Sequence, residues 1–397
     1  MAPSYLSLTI FLLFLFITTA LASPRLVLYW GQNPGPSLGY PNEGHLASYC
    51  KGSTVDTIVI SFVNGWRPKS GGKYEFAMNI ADHISDGYTC KGSTLANGLP
   101  KCPGLEDDIK TCQRGGKKVQ VALGGAIPAS IGYGFSGDSD AKAFAKVIYN
   151  VFLGGKATPS LRPFGSAVLD GIDLDIETGD STGYRAFTLA LKKLSPKTTI
   201  AGAPQCLIPD HWLQDTMLHG HIDEVYMQFY NNPECAAYPG NNYNYNDWAH
   251  LIRTQFANRK AKLFVGMPAS PGDAGSGYAN LKQLQHIIDV TRKGNTDVFG
   301  GIALWEASTA FLNKQSGGVD MAQGVKNYLK KVSNGPSSSG GSPSKSGSCT
   351  KIYVSKAGDK CYKIAHQKHI PARNLVKWNP HINCNKALPA GVDVCLR

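Results

Sequence analysis

Several features that would settle a function at once are missing from this chain of 397 residues. Only 17% of its residues are charged and 42% are hydrophobic, which excludes wholesale disorder as well as a collagen-like or multi-span membrane protein. No glycine-rich dinucleotide fingerprint follows the first strand-like run, and no EF-hand calcium loop occurs. There is no Asn-x-Ser/Thr sequon, so N-glycosylation is not expected. Two stretches are defined by what they lack. Residues 1–22 contain no charged side chain, and residues 333–348, SNGPSSSGGSPSKSGS, contain no large apolar one.

Within the first of these an apolar run from Leu8 to Ile17 is followed by Ala20-Leu21-Ala22, the small-x-small pattern of a signal-peptidase site. The run is shorter than the roughly 20 residues a membrane span needs. A secretory signal peptide cut after Ala22 is expected, leaving a soluble extracellular chain with no membrane partner. The second stretch cannot offset the entropy of ordering and reads as a flexible linker. The expected organisation is therefore 1–22 signal peptide, 23–332 main domain, 333–348 linker and 349–397 small module.

Secretion turns an even cysteine count into disulfides. Cys50, Cys90, Cys102, Cys112, Cys206 and Cys235 precede the linker, and Cys349, Cys361, Cys384 and Cys395 follow it, so each region can be closed on its own. Fifteen pairings are open to the first group and three to the second. The formal charge of +12 is also unevenly spread: residues 349–397 hold nine basic and two acidic side chains. No nucleic-acid motif accompanies this basicity, and nucleic acid is not an expected partner.

Before the linker, eight apolar runs recur at 26–30, 57–63, 118–123, 167–176, 198–203, 222–230, 263–267 and 298–305. Most are continuously hydrophobic, as strands covered on both faces are. Between several of them, 140–152, 184–194 and 280–290 carry apolar residues at helical spacing. The alternation predicts an α/β fold, a (β/α)8 barrel, with an open doubly wound sheet as the alternative.

The fourth run ends Asp170-Gly171-Ile172-Asp173-Leu174-Asp175-Ile176-Glu177. In a strand, side chains alternate faces, so Asp173, Asp175 and Glu177 share one side and Ile172, Leu174 and Ile176 the other. In a parallel barrel the C-terminal end of a strand is where active sites lie. Carboxylates this close cannot all ionise, so at least one retains a proton, as a general acid must. A plain solvated edge or a hard-cation site is the competing reading of such a row.

These residues match DxxDxDxE, and the chain resembles the glycoside hydrolase family 18 chitinases, class III. Tyr29-Trp30-Gly31-Gln32-Asn33, Leu123-Gly124-Gly125, Ala203-Pro204-Gln205-Cys206, Gln228-Phe229-Tyr230-Asn231-Asn232-Pro233 and Leu304-Trp305 resemble that family's strand ends, in order. The resemblance implies a TIM barrel that cuts β-1,4-linked N-acetylglucosamine chains without metal or cofactor. It implies Glu177 as acid and base, Asp175 as the group orienting the substrate's acetamido arm, Asp173 sharing its proton, and Tyr230 holding the acetamido oxygen. Gln228 would line that subsite and Trp305 would floor it, with Tyr29, Gly125 and Asn231 as further substrate contacts. It also implies the pairings Cys50 with Cys112, Cys90 with Cys102, and Cys206 with Cys235. Segments 65–80 and 126–137 depart from the family's pattern. The family also contains lectins and inhibitors that commonly lack the acid, and lysozyme activity is a further possibility of the same sugar chemistry.

After the linker, the Gly358-Asp359 turn, Tyr362-Lys363-Ile364-Ala365, Trp378-Asn379-Pro380, Asn383-Cys384 and Leu388-Pro389-Ala390-Gly391 resemble a LysM domain. That resemblance implies a βααβ module gripping N-acetylglucosamine polymers between Gly358, Asp359 and Lys360 on one loop and Asn379, Pro380, His381 and Ile382 on the other. The expected partners are thus chitin and chitooligosaccharides, met by a monomer.

Overall fold

A computed structural model describes residues 23–334 except 241, and in the C-terminal segment 351–396 except 357, 369, 380, 381, 383, 385 and 389–392. The expected signal peptide, residues 335–348 of the expected linker and the candidate residues Cys349, Pro380 and His381 lie outside the described residues, whereas Ser333 and Asn334 are the last residues of the helix Met321–Asn334. The chain divides into two compact units, one ending at Ser333 and one beginning at Asn334.

In the first unit eight parallel strands close into a barrel: β1 (Arg25–Trp30), β2 (Thr57–Val63), β3 (Lys118–Gly124), β4 (Gly171–Asp175), β5 (Thr199–Gly202), β6 (Glu224–Gln228), β7 (Lys262–Pro268) and β8 (Phe299–Trp305). Each pairs with its neighbours in sequence, and β1 closes the ring on β8 with Leu28 opposite Leu304. The barrel expected from the eight runs is therefore the fold, and the open sheet is excluded.

Strand alternation sorts the core into two layers. Leu26, Leu28, Trp30, Ile58, Ile60, Ile172 and Leu174 point outward, where they meet helix residues such as Phe144, Ile148, Phe187 and Ile288. Val27, Tyr29, Val59, Ala122, Ala201, Ala203, Tyr226, Phe264 and Ala303 point inward and fill the barrel. Small alanines on three strands offset the aromatic rings on the others. Asp173 and Asp175 belong to this inner face, and both are buried.

The helices anticipated at 140–152, 184–194 and 280–290 are Asp138–Phe152, Tyr184–Leu194 and Leu281–Arg292. Asn280 is the last one's cap: its side chain accepts from the Gln283 amide while Gln283 reaches back, a reciprocal capping box. The fourth strand is shorter than its apolar run. Asp170 takes the Val119 amide at 3.0 Å, Gln113 at 2.9 Å and Lys118 at 2.8 Å, pinning the entry to β4 beside β3. Gly171 follows because a Cβ there would stand 2.4 Å from the Thr199 carbonyl oxygen. The first aspartate of the motif is thus structural.

A hairpin, Gly65–Lys69 with Lys73–Ala77, was not legible beforehand. Its Trp66 is buried against Tyr133, Phe135 and Phe144, with ring centroids 5.1–5.9 Å apart. The two segments that depart from the family's pattern therefore pack on each other.

In the second unit strands Ile352–Val354 and Asp393–Cys395 pair antiparallel, with helices Cys361–Gln367 and Ala372–Trp378 between them in sequence, the expected βααβ order. Ile364, Ala365, Leu375, Leu388, Val394 and Leu396 form a small core, which the Cys361–Cys384 disulfide supplements. In the barrel unit the disulfides are Cys50–Cys112, Cys90–Cys102 and Cys206–Cys235, as the resemblance implied. Cys395 is also disulfide-bonded. Among the described residues no helix is long and apolar enough to cross a membrane.

Candidate active site

The C-terminal ends of the strands surround a cleft of about 260 Å3 lined by Gly125, Asp175, Glu177, Gln228, Tyr230, Asn231 and Trp305, together with Gln32, Phe62, Asn64, Asn79, Ala126, Ile127 and Asp273. Tyr29 lies just beneath, beside Asp175 and Trp305, and donates its hydroxyl to Asp173 Oδ2 at 2.8 Å. All nine barrel residues singled out in the sequence are thus brought together at one end of the barrel. Their burial is graded. Asp173 is wholly enclosed, Asp175 is 4% exposed, and Glu177, two residues past the strand end, faces the cleft partly open to solvent.

That gradient sets the electrostatics. Burial pushes the Asp173 carboxyl up to about 7, against the opposing hydrogen bond from Tyr29. Asp175 is raised well above the usual carboxylate range by burial and then by the neighbouring Glu177 and Asp173 charges. Glu177 is raised by burial, opposed by hydrogen bonds from Gln228 and Asp175. The Asp175 and Glu177 carboxyls act on each other directly, and two such groups side by side are stable only while one of them keeps a proton. Gln228 Nε2 donates to Asp175 Oδ1 at 3.0 Å and to the Ala203 carbonyl at 3.2 Å, fixing its amide orientation. A protonated inner carboxyl beside an outer one at the cleft is an arrangement that can deliver a proton and take it back.

The walls are held by local chemistry. Phe62 and Trp305, at the ends of β2 and β8, stack with centroids 5.7 Å apart. Gly125 adopts a φ of 93°, and a Cβ there would stand 3.0 Å from the Phe62 ring. Tyr230 and Asn231 follow β6; Asn231 exchanges hydrogen bonds with Ser276, and Cys206–Cys235 braces the loop. Burial, then Asp175 and Glu177, hold the Tyr230 hydroxyl well above its usual range, so it remains a donor.

A model of the glycosyl hydrolases family 18 matches residues 25–295, and a model of the LysM domain matches residues 353–397. The chain belongs to glycosyl hydrolase family 18. Among its relatives, "Chitinase 1" of Rhizopus niveus is 39% identical over 304 residues, covering 75% of this chain and 58% of that protein. Two solved structures are similar in fold. The xylanase and alpha-amylase inhibitor XAIP-II of Scadoxus multiflorus is 27% identical with a TM-score of 0.60, covering 78% of this chain and 99% of the other. The ICChI chitinase of Ipomoea carnea is 29% identical with a TM-score of 0.58, covering 78% and 98%. The chain spans only 58% of the length of the Rhizopus relative.

Two features of this family 18 site escaped sequence reasoning. Tyr133 donates to the Gly125 carbonyl at 2.8 Å and accepts the Glu177 amide at 3.2 Å, so it ties the proposed acid to the β3 loop. Asp273, held up to about 6 chiefly by burial, lines the cleft from beyond β7 while accepting from Thr309 and Ser270. Both stand in loops of no regular period, where only the folded chain reveals the neighbour. No group of His, Cys, Asp and Glu among the described residues is arranged to hold a metal ion.

In the LysM unit the Asn379 side chain is committed within the module: it is fully buried, its Nδ2 donates to the Leu375 and Cys395 carbonyls at 2.8 Å, and its Oδ1 accepts the Cys395 amide at 2.6 Å. An Asn at a helix end with both sides of its amide committed locks the helix to the last strand. The Asp359 carboxyl is likewise engaged, by Tyr353 at 2.7 Å and the Lys356 amide at 2.8 Å, and it shapes its own turn. Gly358 and Lys360 are exposed, and Ile382 is half-buried.

Proposed function

We propose that this chain is a secreted endochitinase that hydrolyses β-1,4 bonds between N-acetylglucosamine units with retention of configuration. The observation that carries the reading is the graded carboxyl row: Asp173 fully enclosed, Asp175 buried at the cleft, and Glu177 beside it, the one of the three that is partly open to solvent. Glu177 protonates the glycosidic oxygen, and its raised affinity for a proton suits that task. The substrate's own acetamido carbonyl then attacks the anomeric carbon, giving an oxazolinium ion, and Glu177 as base activates the water that opens it. Asp175 orients the acetamido group and balances the growing positive charge, with the proton redistributed towards Asp173. Tyr230 donates to the acetamido oxygen, Gln228 holds Asp175, and Trp305 with Phe62 floors the sugar.

The signal peptide over 1–22 delivers the chain outside the cell, and the linker over 333–348 tethers a chitin-binding LysM module over 349–397. Tethering raises the local concentration of polymer sites without changing the barrier. The inhibitor name of the Scadoxus neighbour points to a second reading, a sugar-binding barrel that does not turn over. The intact set Asp173, Asp175, Glu177 and Tyr230 favours the enzyme.

The test is hydrolysis of N-acetylglucosamine hexamer by the mature protein and by Glu177→Gln, with product anomers followed by NMR. Initial release of the β-anomer, abolished in the variant, is expected. Binding of the hexamer without cleavage by the unsubstituted protein would move the chain to the non-catalytic class.

A further inference from the structure

Behind Trp305 lies a second group of carboxyls that the proposed reaction does not use. Glu306 follows Trp305 at the end of β8 and is completely buried. Its Oε1 accepts the Ser308 hydroxyl and, at 3.1 Å, the Thr309 amide, which caps the helix Ala307–Leu312. Glu43, on the segment after β1, is 6% exposed. Its Oε2 accepts the amides of Gly31 at 3.0 Å and Asn33 at 3.3 Å, and lies 3.0 Å from His83 Nε2. Glu306 Oε2 and Glu43 Oε1 are buried with no donor in reach among the described residues, and because β1 and β8, which lead into Gly31 and Glu306, are neighbours, the two carboxyl groups act on each other directly. Two buried carboxyls side by side are stable with at most one charge, which favours a proton shared between them.

What the pair connects gives it a role. Gly31 and Asn33 flank Gln32, which lines the cleft and whose Nε2 donates to the carbonyls of Ser61 at 2.7 Å and Asn79 at 3.0 Å. Ser61 precedes Phe62, the ring stacked on Trp305. The Glu43–Glu306 contact therefore ties one wall of the cleft, the Gln32 loop, to its floor at Trp305. We infer that Glu306 and Glu43 form a hydrogen-bonded clasp that positions Trp305 against the Gln32 loop, and that the cleft's grip on an N-acetylglucosamine chain requires the clasp closed.

The inference rests on the reading of the cleft as a sugar site and adds positioning residues and a pH dependence to it. Among the described residues, the groups facing the pair include no lysine or arginine to relieve a second charge. They are His83, with Asp82 and Asp86 beside it, Tyr49, and Asp273 from beyond β7. Burial lowers the proton affinity of His83 and so favours its neutral form. Burial pushes Glu43 up to about 7 and Glu306 well above the usual range. Loss of the last proton in alkaline solution leaves two buried anions side by side and opens the clasp.

The test measures hexamer affinity by calorimetry in the Glu177→Gln background, with and without Glu306→Gln, at pH ~5.5, ~7 and ~9. The amide of Glu306→Gln still accepts from Ser308 and Thr309 and donates to Glu43 without a titrating proton. The expected result is a dissociation constant that rises about five- to tenfold across this range in the parent, the weight of one buried hydrogen bond, and by less than about twofold with Glu306→Gln. A parent value independent of pH, or a rise of equal size in both proteins, would overturn the inference. Near-ultraviolet circular dichroism at each pH separates loss of fold from loss of grip. Absence of hexamer binding at every pH would instead sink the sugar-site reading. The clasp is then decided by 13C titration of the glutamate carboxyls in the unliganded protein, where mutually dependent transitions of Glu43 and Glu306 must be seen and must give way to a single independent Glu43 transition with Glu306→Gln.

Discussion

Asp173→Asn is the perturbation that tests the buried carboxyl row most directly. Asp173 is wholly enclosed inside the barrel, with one oxygen taking the Tyr29 hydroxyl and the other without a partner. Folding moves its proton affinity from the ordinary aspartate value of 3.8 up to about 7. At ~1.4 kcal/mol per pH unit, that difference corresponds to about 4 kcal/mol. The folded protein holds this proton more tightly than the unfolded chain does. The contribution is therefore complete below about pH 4, declines as pH rises and is gone above about 7. In Asp173→Asn the slope disappears. The asparagine oxygen still accepts from Tyr29, while its amide brings a constant penalty of about 1–3 kcal/mol for whatever it leaves unsatisfied. Relieving the Asp173 charge on Asp175 acts in the same direction, since it reduces a second pH-dependent cost. Urea unfolding of both proteins at pH ~4, ~6 and ~8 should show the variant gaining about 4 kcal/mol on the parent from the lowest pH to the highest. A gap that stays constant within about 1 kcal/mol would mean that Asp173 is ionised in the native barrel, and the proton-sharing account of the site would be refuted.

Four further outcomes are expected. Tyr133→Phe removes the group bridging Gly125 and Glu177 and should lower kcat on the hexamer about tenfold while moving unfolding free energy by about 1 kcal/mol, measured by initial rates and urea melts. Replacing Cys206 and Cys235 by serine opens a 29-residue loop and should cost roughly 3–4 kcal/mol in the barrel's unfolding transition; an unchanged denaturation midpoint would contradict the bracing role. Asn379→Ala should unfold the LysM unit through three lost buried hydrogen bonds, seen as fast amide exchange there, whereas Lys360→Ala should leave that unit folded. Truncation after residue 333 should reduce hydrolysis of insoluble chitin far more than that of short oligomers, and equal loss on both would exclude a tethering role.

The parts of the molecule that were legible in sequence are those where a periodic pattern maps onto a face. Eight apolar runs become eight strands because each must be covered on both sides, and the two-residue spacing of Asp173, Asp175 and Glu177 survives folding because a strand preserves it. The opposite faces of β4 confirm the point. Ile172 and Leu174 enter the layer beneath the helices, while the acids enter the barrel. Pattern fails where a side chain's meaning is set by a partner remote in the chain. Asn379 reads as a loop residue because asparagine is usually exposed, yet the Cys395 backbone arrives to take both ends of its amide. Nothing in the sequence marks Glu43 or Glu306, and only closure of β1 on β8 brings them near each other behind Trp305. The barrel thus holds two proton-sharing acid groups of opposite legibility. One is written along a single strand and its end and faces the cleft, and the other is assembled from the segments that follow the first and last strands and supports its wall. Closing the ring is the step that creates the second, which is why a residue pattern local to any one strand cannot contain it.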